Sequence, residues 1–136
     1  MQQELDEPHP TGERLLLRSA AIVGLGGVAL IHVLNLQEML QEAPYLGILY
    51  FGPIVGGLWL AGMLIRRDSS LAWIAGGALS LMVIIGYVLT RTTGLPNASG
   101  DIGNWSMPLG LASLFVEGWT VLVAIWAMWI APKQPA

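Results

Sequence analysis

Glu117, His32, Arg91 and Glu38 can do chemistry, and they stand where polar groups are costly to keep. Glu117 lies about ten residues into the apolar run 107–130, so helical rise puts it roughly 15 Å from the start of that run, near the middle of a bilayer. A carboxyl at that depth faces the bundle interior and finds polar company, and such residues mark proton or substrate paths. The competing expectation is an acid hydrogen-bonded to a neighbouring helix for structure alone. His32 sits one turn before the end of another run, 15–36, with Asn35 nearly a turn further on the same face and Glu38 just beyond. Side chains lean toward the N-terminus of their helix. On oppositely directed helices His32 and Glu117 therefore lean toward each other, and a His32–Glu117 contact, direct or through water, is expected. Arg91 opens the segment Arg91-Thr-Thr-Gly-Leu-Pro-Asn, with Glu38, Glu42 and Asp101 as candidate partners. It is either a snorkelling interfacial ion pair or a cation closing the mouth of a polar pocket over His32 and Glu117. The pocket is the favoured reading.

The elements that must position these residues are four apolar runs, 15–36, 45–65, 71–90 and 107–130. Each has about the 20 residues needed to cross a hydrocarbon core. The sequence is 54% hydrophobic and 11% charged, which points to an integral membrane protein rather than a soluble domain. The expected fold is all-α, an antiparallel four-helix transmembrane bundle over 15–130, with an acidic cytoplasmic tail at 1–14 and a cytoplasmic end at 131–136. No soluble catalytic domain is expected in the remaining segments. With no cysteine there is no disulfide, thiolate metal site or thiol redox chemistry. The net charge of −3 owes much to Glu4, Asp6, Glu7 and Glu13 in the tail, which argues against nucleic acid as a partner. An acidic N-terminus without a cleavage site predicts that the first run stays as a span.

Arg14, Arg18, Arg66, Arg67 and Lys133 all fall on one side of this topology, and only Arg91 falls on the other. The positive-inside rule then places both termini in the cytoplasm. The connection 37–44 and the longer segment 91–106 become outer loops, the latter shaped by Pro96 and by glycines at 94, 100 and 103. Small residues four apart, Ala20/Gly24, Gly52/Gly56, Gly57/Ala61 and Ala72/Gly76, together with Gly26–Gly27, predict close helix contacts. Pro53 predicts a kink in the outer third of span two. Ser106 is expected to cap span four, with Pro108 in its first turn. Tyr45, Tyr87 and Trp105 suggest an outer aromatic belt and Trp126 and Trp129 an inner one, and Trp59, Trp73 and Trp119 are expected to pack against lipid or the interface.

Other signals are weaker. Asn97-Ala-Ser99 matches a glycosylation acceptor that a bacterial membrane protein would not use, and Gly24-x-Gly26-Gly27 follows no strand and so reads as helix packing. A single membrane histidine cannot give two axial ligands to a haem, and a His–Met site with Met82 or Met107 is disfavoured. His9 reads as a solvated tail residue. Ser80, Ser113 and Thr120 show no activated nucleophile–base arrangement, so no enzymatic activity is expected.

A histidine ending span one, the acidic pair Glu38/Glu42, the Tyr45-Leu-Gly-Ile-Leu-Tyr-Phe opening of span two, Arg91-Thr-Thr-Gly-Leu-Pro, and Pro108-Leu-Gly leading to Glu117 form one pattern. This pattern resembles a group of small uncharacterised four-helix integral membrane proteins of bacteria, especially actinobacteria and related lineages. The likeness covers most of residues 15–130. It implies the bundle fold and His32, Glu38, Arg91 and Glu117 as the residues that matter, and it implies no particular reaction. The expectation is thus a non-enzymatic protein of the bacterial plasma membrane with an outward-facing polar pocket. Its occupant would be a small ligand, a metal ion or a partner helix, with homo-oligomer or accessory-subunit roles open. The alternative is an oligomeric proton-coupled carrier or channel in which Glu117 titrates.

Overall fold

In hydrocarbon every backbone N–H and C=O must be satisfied within the chain, and apolar runs of this length can do that only as helices. The computed structural model describes residues 12–129. They form α1 (Gly12–Glu42), α2 (Pro44–Leu49), α3 (Phe51–Arg66), α4 (Ser70–Arg91) and α5 (Pro108–Trp129). With α2 and α3 taken as one span, four helices are long and apolar enough to cross a membrane. The fold is an all-α four-helix membrane bundle. Its outward faces carry exposed Val23, Leu30, Leu58, Ile74, Phe115 and Leu122, an apolar surface that suits lipid rather than water. α1 packs against α3 and α5, and α4 closes the ring between them. The acidic tail (Glu4, Asp6, Glu7), His9 and Lys133 lie outside the described residues.

Glycine sets the closest approaches. A Cβ on Gly57 would lie 3.0 Å from the Leu25 carbonyl oxygen, so α1 meets α3 almost backbone to backbone, and one on Gly27 would lie 2.9 Å from a Val116 methyl, so α5 packs a side chain directly onto the α1 backbone. Gly24 likewise sits against Thr120. Ala61, Ala72 and Gly76 are buried as their spacing predicts. Gly52 and Gly26 differ: a Cβ on either would meet nothing within 4 Å, so these two glycines mark gaps instead of contacts.

One end of the bundle is held by cations. Arg14 donates to both carboxylate oxygens of Asp68 at 2.7 Å and to the Ala127 carbonyl at 2.6 Å, with its guanidinium 5.6 Å from the Trp73 ring centroid. Trp73 Nε1 donates to the same carboxylate at 2.6 Å. Arg18 reaches the Leu64 carbonyl at 2.6 Å. Both arginines thereby satisfy carbonyls in the last turns of α5 and α3, where the helix dipole favours a cation. Trp73 is buried in this cluster, not packed against lipid. Above the cluster the core is closed by Leu25, Leu64, Val123 and Ala127. This is called the basic end below, and the opposite end, with Glu38, Glu42 and Asp101, the acidic end.

The acidic end departs from sequence expectation at the end of α1 and at the start of α5, whereas span two is interrupted near Pro53 as expected. Residues 37–42 are helical, because Gln-Glu-Met-Leu-Gln-Glu are good helix formers whatever their polarity, and Ala43 alone joins α1 to α2. Pro44 takes the first helical position of α2 and stops α1. Pro53 offers no N–H to the Leu49 carbonyl, and the regular ladder is interrupted at Tyr50, although Tyr50 keeps helical dihedrals (φ −61°, ψ −24°). At the start of α5, Ser106 is exposed and its hydroxyl makes no capping bond, while Pro108 occupies the first helical position.

The segment between α4 and α5 is ordered by tight turns. Pro96 and Asn97 (φ 54°) form the bend between Leu95 and Ala98, which exchange backbone hydrogen bonds of 2.9 and 3.3 Å. Tyr45 donates to the Pro96 carbonyl at 2.6 Å. Ala98 then packs with Met39, Ala43 and Leu46 in a small second core.

Candidate functional site

Between the two cores lies a cavity of about 450 Å³, walled by α1, α2, α3, α4 and the start of α5. Its α1 wall follows from helical period: His32, Asn35, Glu38, Met39 and Glu42 recur every three or four residues and share one face. The extension of α1 to Glu42 is what carries both acids to the rim, where they are exposed.

His32 is buried, its Nδ1 2.8 Å from the Val28 carbonyl oxygen. A carbonyl only accepts, so in the neutral ring Nδ1 carries the hydrogen and Nε2 is left as an acceptor. The ring stands edge-on to Tyr50, centroids 4.8 Å apart. Tyr50 accepts from Asn35 Nδ2 at 3.4 Å, which leaves its own O–H free to donate. Arg91 is 6% exposed. It pairs with Asp101 at 3.1 Å, donates to Thr90 Oγ1 at 3.1 Å and to Met107 Sδ at 3.6 Å, and lies 4.5 Å over the Tyr87 ring. Arg91 Nε and the Tyr87 hydroxyl are both buried without a partner among the described residues. Gly110 makes room for Tyr87, since a Cβ there would lie 2.8 Å from the phenol oxygen.

Glu117 is fully buried inside the bundle and does not face lipid. Ser113, one turn nearer the acidic end and on the cavity wall, donates a hydrogen bond to its Oε1, while Oε2 has no partner among the described residues. Glu117 thus meets the cavity through Ser113 rather than lining it.

His32, Glu38 and Arg91 are brought to one cavity, whereas the direct His32–Glu117 contact does not form among the described residues. The imidazole does turn toward the basic end, as its helix direction requires, but its ring packs on Tyr50 from span two instead of reaching span four. Of the three acids offered to Arg91, Asp101 takes it. Tyr87 is not a belt residue: its hydroxyl is buried beneath the arginine, while Tyr45 and Trp105 are exposed. Trp126 and Trp129 are exposed near the basic end, the former donating to Glu13 at 2.8 Å.

Sequence reasoning missed Tyr50 and Ser113 as site residues. The four-residue spacing of Ser113 and Glu117 was the available signal, since such pairs face each other on a helix. Among the described residues no group of three His, Asp or Glu is disposed to hold a metal ion. A second depression of about 500 Å³ lies between α4 and α5 around Gly77, Ala124 and Met128, with an apolar lining. Comparisons with protein-family models, with curated proteins and with solved structures found no match for the chain.

Proposed function

We propose that this protein is a non-enzymatic membrane protein that binds a small ligand in the cavity at the acidic end. His32 and Arg91 contribute its polar wall, Glu38 stands at its mouth and Glu117 acts behind Ser113. The observation that carries this reading is convergence: His32, Tyr50, Tyr87 and Arg91, from three different spans, line one cavity, and among the described residues the Tyr87 hydroxyl and Arg91 Nε buried in its wall have no hydrogen-bond partner. Unpaired buried polar groups cost stability, and a ligand supplying the missing bonds accounts for their retention. The cavity also falls in the size range of small-molecule sites.

In this reading the chain sits in a bacterial plasma membrane, with Arg14, Arg18, Arg66 and Arg67 and both termini on the cytoplasmic side and the cavity opening outward. Membership of the actinobacterial-type group belongs to the same proposal. An accessory-subunit or homo-oligomeric form would use the exposed apolar face of α5, around Phe115, Trp119 and Leu122. A small-molecule occupant is preferred to a metal because Arg91 and its Asp101 partner occupy the polar wall and His32 is the one imidazole among the described residues.

The test is recovery of bound material. Protein purified from native membranes in mild detergent is expected to release a defined molecule on extraction, and Val83→Trp, which fills the cavity from α4, is expected to lose it. Equal recovery from both proteins would remove the binding site. A second reading, the proton-coupled carrier, draws on the full burial and half-satisfied carboxyl of Glu117. Against it stands the apolar core closing the bundle below that residue, which gives a proton no exit within one chain. Proton uptake into vesicles that is abolished by Glu117→Gln would favour the carrier.

A further inference from the structure

The wall of the cavity between α3 and α4 faces two ways. Leu49 and Met82 line the cavity yet are 63% and 69% exposed, and Gly52 and Gly86 line it with nothing within 4 Å of where a Cβ would stand. The seams of α1 are tighter, sealed to α5 by Gly24 and Gly27 and to α3 by Gly57, and the apolar depression between α4 and α5 lies around Gly77, Ala124 and Met128, away from this cavity. Gly86 lies five residues before the end of α4, roughly 8 Å along the helix, so the opening sits at the depth of one leaflet's acyl chains. A molecule can pass through it from the hydrocarbon without crossing water.

Charge and hydrogen bonding restrict the head of such a molecule. The Arg91 charge is met by Asp101, and Glu38 and Glu42 stand at the rim, so an anionic head finds no uncompensated cation and two like charges on the same cavity. Among the described residues the wall keeps a donor in the Tyr50 O–H, whose oxygen only accepts from Asn35, and an acceptor in His32 Nε2, with the Tyr87 hydroxyl and Arg91 Nε buried without a partner behind them. A hydroxyl both donates and accepts, and so satisfies members of each set. At about 30 Å³ per water-sized group, 450 Å³ holds roughly fifteen such groups. That is enough for a head and a few methylenes, and a long chain would have to continue out through the slit.

Resting on the cavity as a binding site, we propose that its ligand is a neutral single-chain amphiphile with a hydroxyl-bearing head, entering from the bilayer between α3 and α4 and leaving its chain in the Gly52–Gly86 slit. The head lies against His32, Tyr50 and Arg91. The chain keeps contact with lipid, so extraction from the membrane is never complete.

The probe is a monoacylglycerol carrying a photoreactive diazirine in mid-chain, offered to the full chain in phosphatidylcholine vesicles, with adducts mapped by mass spectrometry. Adducts are expected to concentrate at Leu49, Gly52, Leu79 and Met82 and to fall about tenfold with excess unlabelled monoacylglycerol. A diazirine fatty acid of the same chain, ionised at pH 8, is expected to label the slit far less. Gly52→Leu with Gly86→Leu closes the slit and is expected to abolish slit labelling while leaving labelling at Phe115 and Leu122 unchanged. Met82→Trp, which alters an already exposed side chain, serves if the double variant does not fold, and Gly26→Leu controls for filling an open glycine elsewhere. Uniform labelling of all lipid faces without competition, or slit labelling untouched by closure, overturns the proposal. Should native protein still release a water-soluble molecule that Val83→Trp excludes, the amphiphile fails and the cavity reading survives. If Val83→Trp changes nothing in either experiment, the cavity reading itself fails.

Discussion

Glu117 and Ser113 separate an acid kept for structure from one kept at a cost. Ser113→Ala removes the only hydrogen bond that the described residues make to a carboxyl that is 0% exposed and already has one oxygen without a partner among them. Leaving a buried polar group wholly unsatisfied costs about 1–3 kcal/mol, so Ser113→Ala is expected to destabilise by about 2 kcal/mol. Glu117→Met keeps the length of the side chain and removes both oxygens, so no acid remains to be satisfied. The freed Ser113 hydroxyl can turn to the carbonyl four residues back, as Thr120 already does to Val116 at 2.8 Å. The expected change is then between zero and about 1 kcal/mol of added stability. The two variants, both at the same pair, should move in opposite directions. Reversible unfolding in bicelles, read by tryptophan fluorescence, measures both, and recovery of bound material from Glu117→Met is expected to fall although its fold is intact. If Glu117→Met instead destabilises more than Ser113→Ala, the acid is a structural tie between helices, and its assignment to the ligand site is wrong.

Asp68 gives a pH-dependent counterpart at the basic end. Burial pushes its carboxyl up, but the hydrogen bonds from Arg14 and Trp73 and the charges of Arg14 and Arg18 outweigh it and hold the pKa below the ordinary 3.8. A folded value below the unfolded one means that the stabilisation is complete above about pH 4 and is lost as pH falls through the folded pKa. Asp68→Asn is expected to cost about 3 kcal/mol at pH 7 and to flatten the acid limb of a stability–pH curve; an unchanged limb would remove Asp68 from the staple. Gly57→Ala sets a methyl 3.0 Å from a backbone oxygen that cannot retreat and is expected to destabilise by about 1–3 kcal/mol. Gly26→Ala, with open space, is expected to gain up to about 1 kcal/mol, so equal thermal midpoints for the two would contradict the packing described. Tyr87→Phe removes an unpartnered buried hydroxyl and is expected to leave stability unchanged or raised by about 1 kcal/mol, while weakening retention of any hydroxyl-bearing probe.

The four spans were legible because hydropathy alone forces helix in lipid, and the antiparallel ring followed from short connections. The end of α1 was not legible from hydropathy, since Gln37 to Glu42 are polar yet prefer helix, and the two preferences part company where a helix leaves the bilayer. Glycine spacing located Gly24 and Gly57 correctly but not Gly52, because the same residue serves close contact and open gap. The cavity needed His32, Glu38 and Arg91, all visible as polar residues in or beside apolar runs. It also needed Tyr50, whose hydroxyl is hidden in a sequence among aromatic residues expected to pack with lipid. The Arg14–Asp68–Trp73 staple joins residues 54 apart, a separation at which only folding reveals the partner.

At 31 residues α1 is about 46 Å long, half as long again as the hydrocarbon it crosses. Tilt absorbs some of that excess, and the remainder, residues 37–42, rises through the headgroups as a post against which the Leu95–Ala98 turn leans. Glu38 and Glu42 are therefore carried on a helical extension beyond the apolar run, both exposed. Ions of the medium and lipid headgroups compete directly for that acidic pair, so salt and the choice of anionic or zwitterionic lipid act at the aqueous rim, apart from the slit between α3 and α4.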